Sequence, residues 1–187
     1  MIYDITVIGG GPSGATAAEQ LAKKGFKVAL IDRAGRIKPC GGAIPPRLIE
    51  DFEIPQSQLV AKIKTARMIS PTNRKVDIPI ENGYVGMVDR ESFDEYLRER
   101  AAKRGAKRFT GTFVNLYKSS EYTKVDFNNH STKKISTLLT RYVIGADGAK
   151  SNVARSTIKD AHKIPYVIAY HEIIEAPKAT SEYNPDR

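Results

Sequence analysis

The sequence predicts an α/β fold built on a Rossmann-like dinucleotide-binding unit that β-rich segments interrupt, and three observations carry that prediction. A glycine-rich turn, Gly9-Gly10-Gly11-Pro12-Ser13-Gly14, separates a β-rich apolar run from a stretch rich in Ala and Leu. A second apolar run, Lys27 to Ile31, ends at Asp32. A third, Arg141 to Ile144, runs into Gly145-Ala146-Asp147-Gly148 far downstream.

Each element follows from local pattern. Ile2 to Ile8 is apolar at most positions, as a parallel strand covered on both faces would be. Ser13 to Lys24 reads as a helix, with Gly25 where a C-terminal cap belongs. Lys27 to Ile31 is the next strand and completes a βαβ unit. Arg33 to Pro46 carries Gly35, Pro39, Gly41, Gly42, Pro45 and Pro46 and reads as a long loop, a kind of loop that is more often functional than idle. Leu59 to Val88 reads as short strands split by turns such as Pro71-Thr72-Asn73. Asp89 can cap a helix from Arg90 to about Lys103, with Phe93, Leu97 and Ala101 on its buried face and Gly105 at its end. Strands are then expected at Arg108 to Leu116, Tyr122 to Phe127, Ile135 to Leu139 and, separately, Arg141 to Ile144. Tyr166 to Tyr170 looks like the start of another strand.

The bulk numbers narrow the class. At 187 residues, 41% hydrophobic and 27% charged, the chain is ordinary globular material. No apolar run approaches the roughly 20 residues of a membrane span. The first residues already read as a strand, so neither a signal peptide nor a presequence is expected. Cys40 is the single cysteine, which rules out an internal disulfide framework and fits a reducing compartment. The net charge is +9, with Arg98, Arg100, Lys103, Arg104, Lys107 and Arg108 clustered together. A solvated helix face is the plainest reading of that cluster, ahead of a site for anionic headgroups or a diphosphate. Nothing resembling a nucleic-acid module accompanies it, so no nucleic acid is expected as a partner.

The glycine turn satisfies G-x-G-x-x-G. Gly9 makes the tight turn, Gly11 lets the backbone approach a pyrophosphate, and Gly14 lets helix and strand pack closely. The helix start that follows, with Pro12 and Ser13, offers N–H groups and partial positive charge to the phosphates. Asp32 stands where a ribose 2′-hydroxyl needs an acceptor, and a carboxylate there repels the 2′-phosphate of NADP.

The downstream segment selects FAD. Tyr142 to Arg155, containing Gly145-Ala146-Asp147-Gly148 and Ser151, resembles the G-A-D-G-x-x-S-x-[VL]-R motif of the para-hydroxybenzoate hydroxylase-type flavoproteins. That resemblance implies a Rossmann-like FAD-binding domain with Asp147 and Gly148 by the cofactor's pyrophosphate and the nicotinamide approach. Arg90 matches that superfamily's arginine that touches FAD, and Arg33 and Val114 join the implied cofactor-binding set. An arginine on a helix's first turn opposes the dipole, which favours a functional reading of Arg90 over an idle surface one.

The loop narrows the family further. Lys38 to Leu48, with Pro39-Cys40-Gly41-Gly42-Ala43, resembles the geranylgeranyl reductase family, and Pro39 to Pro55, Gly83 to Ala101 and Ile164 to Pro177 resemble its (bacterio)chlorophyll branch, the last of them more the bacterial bacteriochlorophyll enzyme than the plant one. The resemblance implies FAD-dependent, NADPH-driven reduction of geranylgeranyl double bonds to phytyl, on geranylgeranyl diphosphate or the geranylgeranyl ester of (bacterio)chlorophyllide. It implies Cys40, Gly41 and Gly42 against the flavin, with Cys40 either a reactive thiol or a small packing residue. It also implies a bacterial cytoplasmic location, with peripheral contact to the photosynthetic membrane and a (bacterio)chlorophyll synthase as partner. Relatives run roughly twice this length, so a front fragment is expected, with the proton donor beyond residue 187 or supplied by water. The expected segments are a first FAD-binding part over 1–58, a β-rich insertion of the substrate domain over 59–88, a second FAD-binding part over 89–156 with a β-meander at about 117–140, and a truncated start of the substrate domain over 157–187.

His130, His162 and His171 lack ligand spacing, so no metal site is expected, and His171 is read as structural. Two rival functions carry different sequence demands. An aromatic monooxygenase of the same superfamily would not need the Cys40 loop, and a non-catalytic prenyl-binding protein would not need intact Gly9, Gly11, Gly14 and Asp32.

Overall fold

A computed structural model of the chain describes residues 1–34, 40–81, 83–170, 172 and 175. In chain order the strands are β1 Ile2–Ile8, β2 Val28–Asp32, β3 Ala43–Ile44, β4 Ala61–Ile63, β5 Thr65–Ile69, β6 Lys75–Pro79, β7 Val85–Met87, β8 Lys107–Lys118, β9 Thr123–Asn129 and β10 Lys134–Gly145. The helices are α1 Pro12–Lys23, α2 Pro46–Asp51, α3 Arg90–Lys103 and α4 Asn152–Thr157. The described residues fall into two compact units, one drawn from 1–36 and 94–168 and the other from 37–93 and 169–187.

The first unit is the βαβ unit extended into a ring of five strands, β1-β10-β9-β8-β2. Strands β10, β1, β2 and β8 run parallel, with Val7 opposite both Ile144 and Leu30 and Ile31 opposite Phe109. Beyond that parallel region β8 and β10 continue outward and pair antiparallel with β9, which closes the ring. Period-two alternation sorts the core, because successive strand residues point to opposite faces. Ile5, Val7, Val28 and Leu30 pack with Ala18 and Ala22 of α1 and Ala101 of α3. Ile8 and Ile31 point the other way, onto Phe113, Val125, Phe127 and Val153. Apolar residues on both faces explain why β1 and β2 read as continuous hydrophobic runs. On α3, Leu97 and Ala101 are buried as the helical spacing predicts.

Two expected elements differ. Ile135–Leu139 and Arg141–Ile144 are one strand, because residues 134–140 pair with β9 while 139–145 pair with β1 and the backbone never leaves the ladder. Thr140, the polar residue between the two expected strands, is fully buried, and its hydroxyl donates to the Tyr142 carbonyl at 2.9 Å. Tyr166 to Tyr170 forms no strand. Val167 and Ile168 are 93% and 90% exposed there, and no described segment pairs with them.

The second unit contains a three-stranded antiparallel sheet of order β3-β7-β4 and a separate hairpin of β5 and β6. Arg67 and Asp77 face each other across the hairpin in a two-pronged ion pair at 2.6 and 2.7 Å. Ile44, Ile49, Ile54, Val88 and Phe93 are its buried apolar residues. Among the described residues, no helix is long and apolar enough to cross a membrane.

A glycine-turn site at the head of the first helix

The fingerprint turn sits at the C-terminal end of β1, where a parallel sheet places ligands. Gly9 adopts φ +102, and a Cβ there would run into the Ala146 carbonyl. Its N–H donates to the Ile31 carbonyl at 2.8 Å, while the Ala146 N–H donates to the Ile8 carbonyl at 2.7 Å. The turn is thereby tied to β2 on one side and to the Gly145–Asp147 segment on the other. Gly14 is closed as well, since a Cβ on it would overlap the Gly9 carbonyl oxygen.

Gly11 behaves oppositely. It is the N-cap of α1, no side chain caps that helix start, and Pro12 occupies the first turn. A Cβ added to Gly11 meets nothing within 4 Å. The open space in front of an uncapped helix N-terminus suits a phosphate group. Ser13 is exposed beside it.

Asp32 ends β2 with its carboxylate turned to the turn. Oδ2 accepts the Gly10 N–H at 2.7 Å, and Oδ1 accepts the Ala34 N–H at 2.8 Å. A carboxylate has about four acceptor positions, so lone pairs remain for a ribose hydroxyl. Arg33, next along, is exposed.

Val114 sits at a β-bulge. The β8–β9 ladder pairs Phe113 with Phe127 and Asn115 with Asp126, leaving Val114 unpaired and 45% exposed. Bulges of this kind recur beside ligand sites. Asp147 serves the start of α4: Oδ2 accepts the N–H groups of Asn152 at 2.7 Å and Val153 at 3.2 Å, and Oδ1 accepts the Ser151 hydroxyl. Gly148 follows with φ +90 and is exposed.

Gly9, Gly11, Pro12, Ser13, Gly14, Asp32, Arg33, Val114, Asp147 and Gly148 all belong to the first unit, whereas Cys40, Gly41, Gly42 and Arg90 belong to the second. There the Gly42 N–H points at Cys40 Sγ at 3.5 Å. Gly42 has φ +76 and a Cβ on it would strike the Val88 carbonyl, while the Val88 N–H donates to the Gly42 carbonyl at 2.9 Å. Asp89 then accepts the Glu91 N–H at 3.0 Å and starts α3 at Arg90. The Cys-Gly-Gly loop is therefore fastened one residue ahead of the cap of the helix that carries Arg90.

Lys103, Arg104 and Lys107 of the basic cluster are exposed as expected of a solvated face, but Arg98, Arg100 and Arg108 depart from it. Arg98 is 7% exposed and binds Glu95 at 2.8 Å, the Gly10 carbonyl at 3.2 Å and Asp32 at 3.4 Å. Arg100 meets Glu19 of α1 at 2.7 Å, and Arg108 meets Glu95 at 2.8 Å. Burial of Glu95 would raise its pKa, but hydrogen bonds from Arg98 and Arg108 outweigh that and hold it below its ordinary value. Gly10 and Arg98 are the residues that sequence reasoning missed. Gly10 fills a variable position of the motif, and Arg98 reads from sequence as one member of a solvated basic cluster.

His130 is placed by the meander, its Nε2 3.0 Å from Thr112 Oγ1 and its N–H donating to the Thr110 carbonyl. His162 is exposed, and His171 lies outside the described residues. Among the described residues no group of three His, Cys, Asp or Glu could hold a metal.

Comparison with known proteins agrees with this geometry. The chain is 60% identical, over all of its length and 47% of the other's, to a geranylgeranyl diphosphate reductase of Rhodobacter capsulatus. It is 41% identical to the chloroplastic geranylgeranyl diphosphate reductase of Arabidopsis thaliana, over 97% of this chain and 41% of that protein. The crystal structure of a geranylgeranyl bacteriochlorophyll reductase-like protein from Thermoplasma acidophilum superposes with a TM-score of 0.74 at 26% identity, covering 90% of this chain and 44% of that one. This chain thus spans about half the length of the curated relatives it matches. The likeness to geranylgeranyl reductases read from the Cys40 loop is borne out. Residues 2–165 match the FAD binding domain family, the uncapped α1 start and the open face of Gly11 fit such a cofactor, and the chain belongs to that family.

Proposed function

We propose that this chain forms the cofactor-holding part of a geranylgeranyl reductase, which takes electrons from NADPH and saturates geranylgeranyl double bonds on the free diphosphate or on the (bacterio)chlorophyllide ester. The observation that carries the reading is the 60% identity to the Rhodobacter capsulatus reductase, which runs through the whole chain.

When bound, FAD supplies hydride chemistry that no side chain can. The residues of this chain hold and orient it. Gly11, Pro12, Ser13 and Gly14 present the helix start to the pyrophosphate, with Gly9 shaping the turn. Asp32 and Arg33 serve the adenosine ribose end, and Val114 at its bulge offers main-chain groups freed from the ladder. Asp147 and Gly148 are assigned to the pyrophosphate side, with the Asp147 carboxylate capping the start of α4. Cys40, Gly41, Gly42 and Arg90 are assigned to the flavin end, Cys40 by contact. A prenyl chain is apolar enough that peripheral membrane contact and hand-over to a (bacterio)chlorophyll synthase fit the same reading.

The test is an anaerobic assay of the full-length protein with NADPH and either geranylgeranyl diphosphate or geranylgeranyl-bacteriochlorophyllide. The phytyl product is expected from at least one of them; product from neither overturns the proposal.

A further inference from the structure

Arg98, Asp32 and the Gly10 peptide hold one another in a closed circuit. Arg98 Nη1 donates to the Gly10 carbonyl at 3.2 Å and lies 3.4 Å from Asp32 Oδ1. The Gly10 N–H returns to Asp32 Oδ2 at 2.7 Å. The circuit is also sterically shut, since a Cβ on Gly10 would come within 2.7 Å of Asp32 Cβ and 2.9 Å of Arg98 Cδ. Glu95, 2.8 Å from Arg98 Nε, supplies the second counter-charge that a guanidinium with only 9% side-chain exposure requires.

This arrangement constrains Asp32 more tightly than strand geometry does. Its side chain keeps 23% exposure, both oxygens already accept a backbone N–H, and Arg98 closes the side away from solvent. What remains open is a narrow set of lone pairs, fixed in direction by groups on two different elements. We propose that Arg98 is a positioning residue for the adenosine ribose of the dinucleotide, acting through Asp32 and the Gly10 peptide. The proposal rests on the reading of Asp32 as the ribose acceptor. An arginine suits the task because Nη1 meets the Gly10 carbonyl and Asp32 while Nε of the same rigid plane meets Glu95, a spread of fixed donors that a single ammonium does not offer.

The test compares FAD with its 2′-deoxyadenosine analogue, titrated into flavin-free full-length protein and followed by quenching of flavin fluorescence. The wild type is expected to bind the analogue roughly 10- to 100-fold more weakly than FAD, the range of a hydrogen bond to a charged group. In Arg98→Met, FAD weakens by a similar factor and the two ligands become nearly equal. Discrimination kept in full by Arg98→Met overturns the positioning role while leaving Asp32 as the acceptor. A wild type that binds both ligands alike overturns the two readings together. General loosening of the protein weakens both ligands by one factor and preserves their ratio, and so counts against the proposal. Arg98→Lys, which keeps the stem and charge, is read in the same way should the methionine variant not fold, and it too is expected to lose the ratio.

Discussion

The carbonyl oxygen of Gly9 occupies the place that a Cβ on Gly14 would need. Both partners of that overlap are backbone, so no side-chain rotation can relieve it. Gly14→Ala must therefore move α1 away from the end of β1, and overpacking of this kind costs roughly 1–3 kcal/mol. A lower Tm for flavin-free protein, together with loss of bound flavin on purification, is the expected result. An unchanged Tm would show that the helix can shift freely.

Gly11 lies three positions earlier in the same motif and predicts the reverse. Its φ of −71 suits any residue, and an added Cβ meets open space. Gly11→Ala should leave the Tm of flavin-free protein within about 0.5 kcal/mol of wild type. The methyl group would still stand where a phosphate approaches, so FAD affinity should fall by about tenfold or more, near 1.4 kcal/mol. Thermal melts with and without FAD separate the two effects, and a variant that binds FAD normally would remove Gly11 from the phosphate site.

How far the sequence could be read depends on where each residue's partner lies. The βαβ unit was legible because β1 and β2 are apolar on both faces and Gly9 and Gly14 between them are fixed by close backbone contacts. Arg98 was not, because a buried arginine looks like a surface one until Asp32 and Gly10 arrive from a distant part of the chain. β10 stays unbroken through Thr140, a polar residue that meets its own hydrogen-bonding need locally at the Tyr142 carbonyl. Tyr166 to Tyr170 has the composition of a strand, but composition supplies no neighbouring edge. The Val114 bulge is one extra residue in β8 relative to β9, a feature of the pairing that β8 alone does not announce.

Asp147 should be worth more to the fold than its place in a flavin motif suggests. Its carboxylate accepts two N–H groups and one hydroxyl at the start of α4, a helix of only 6 residues. Asp147→Ala leaves those donors dependent on Ser151 and water, a loss of about 1–2 kcal/mol by the usual worth of a cap. Faster amide exchange at Asn152 and Val153, with β1 and β2 unchanged, is expected. Asp147→Asn keeps an acceptor oxygen and should recover part of the protection. Unchanged exchange in the alanine variant would refute the capping role.

Glu95 gives a pH dependence whose sign can be worked out. Its own burial pushes the pKa up, but hydrogen bonds from Arg98 and Arg108 prevail and hold it below the ordinary 4.5. A carboxyl whose folded pKa lies below its unfolded one stabilises the fold fully above the unfolded value, and that contribution fades as pH falls through the folded value. The side chain is 40% exposed, so solvent screening limits the worth of its pairs to about 1 kcal/mol or less. Glu95→Gln should therefore lower the Tm modestly at neutral pH. The gap should narrow once the pH drops below about 4.5, as wild-type Glu95 takes up its proton. A gap that stays constant down to acid pH would mean that the glutamate acts through packing, and that the arginines on either side of it do not depend on its charge.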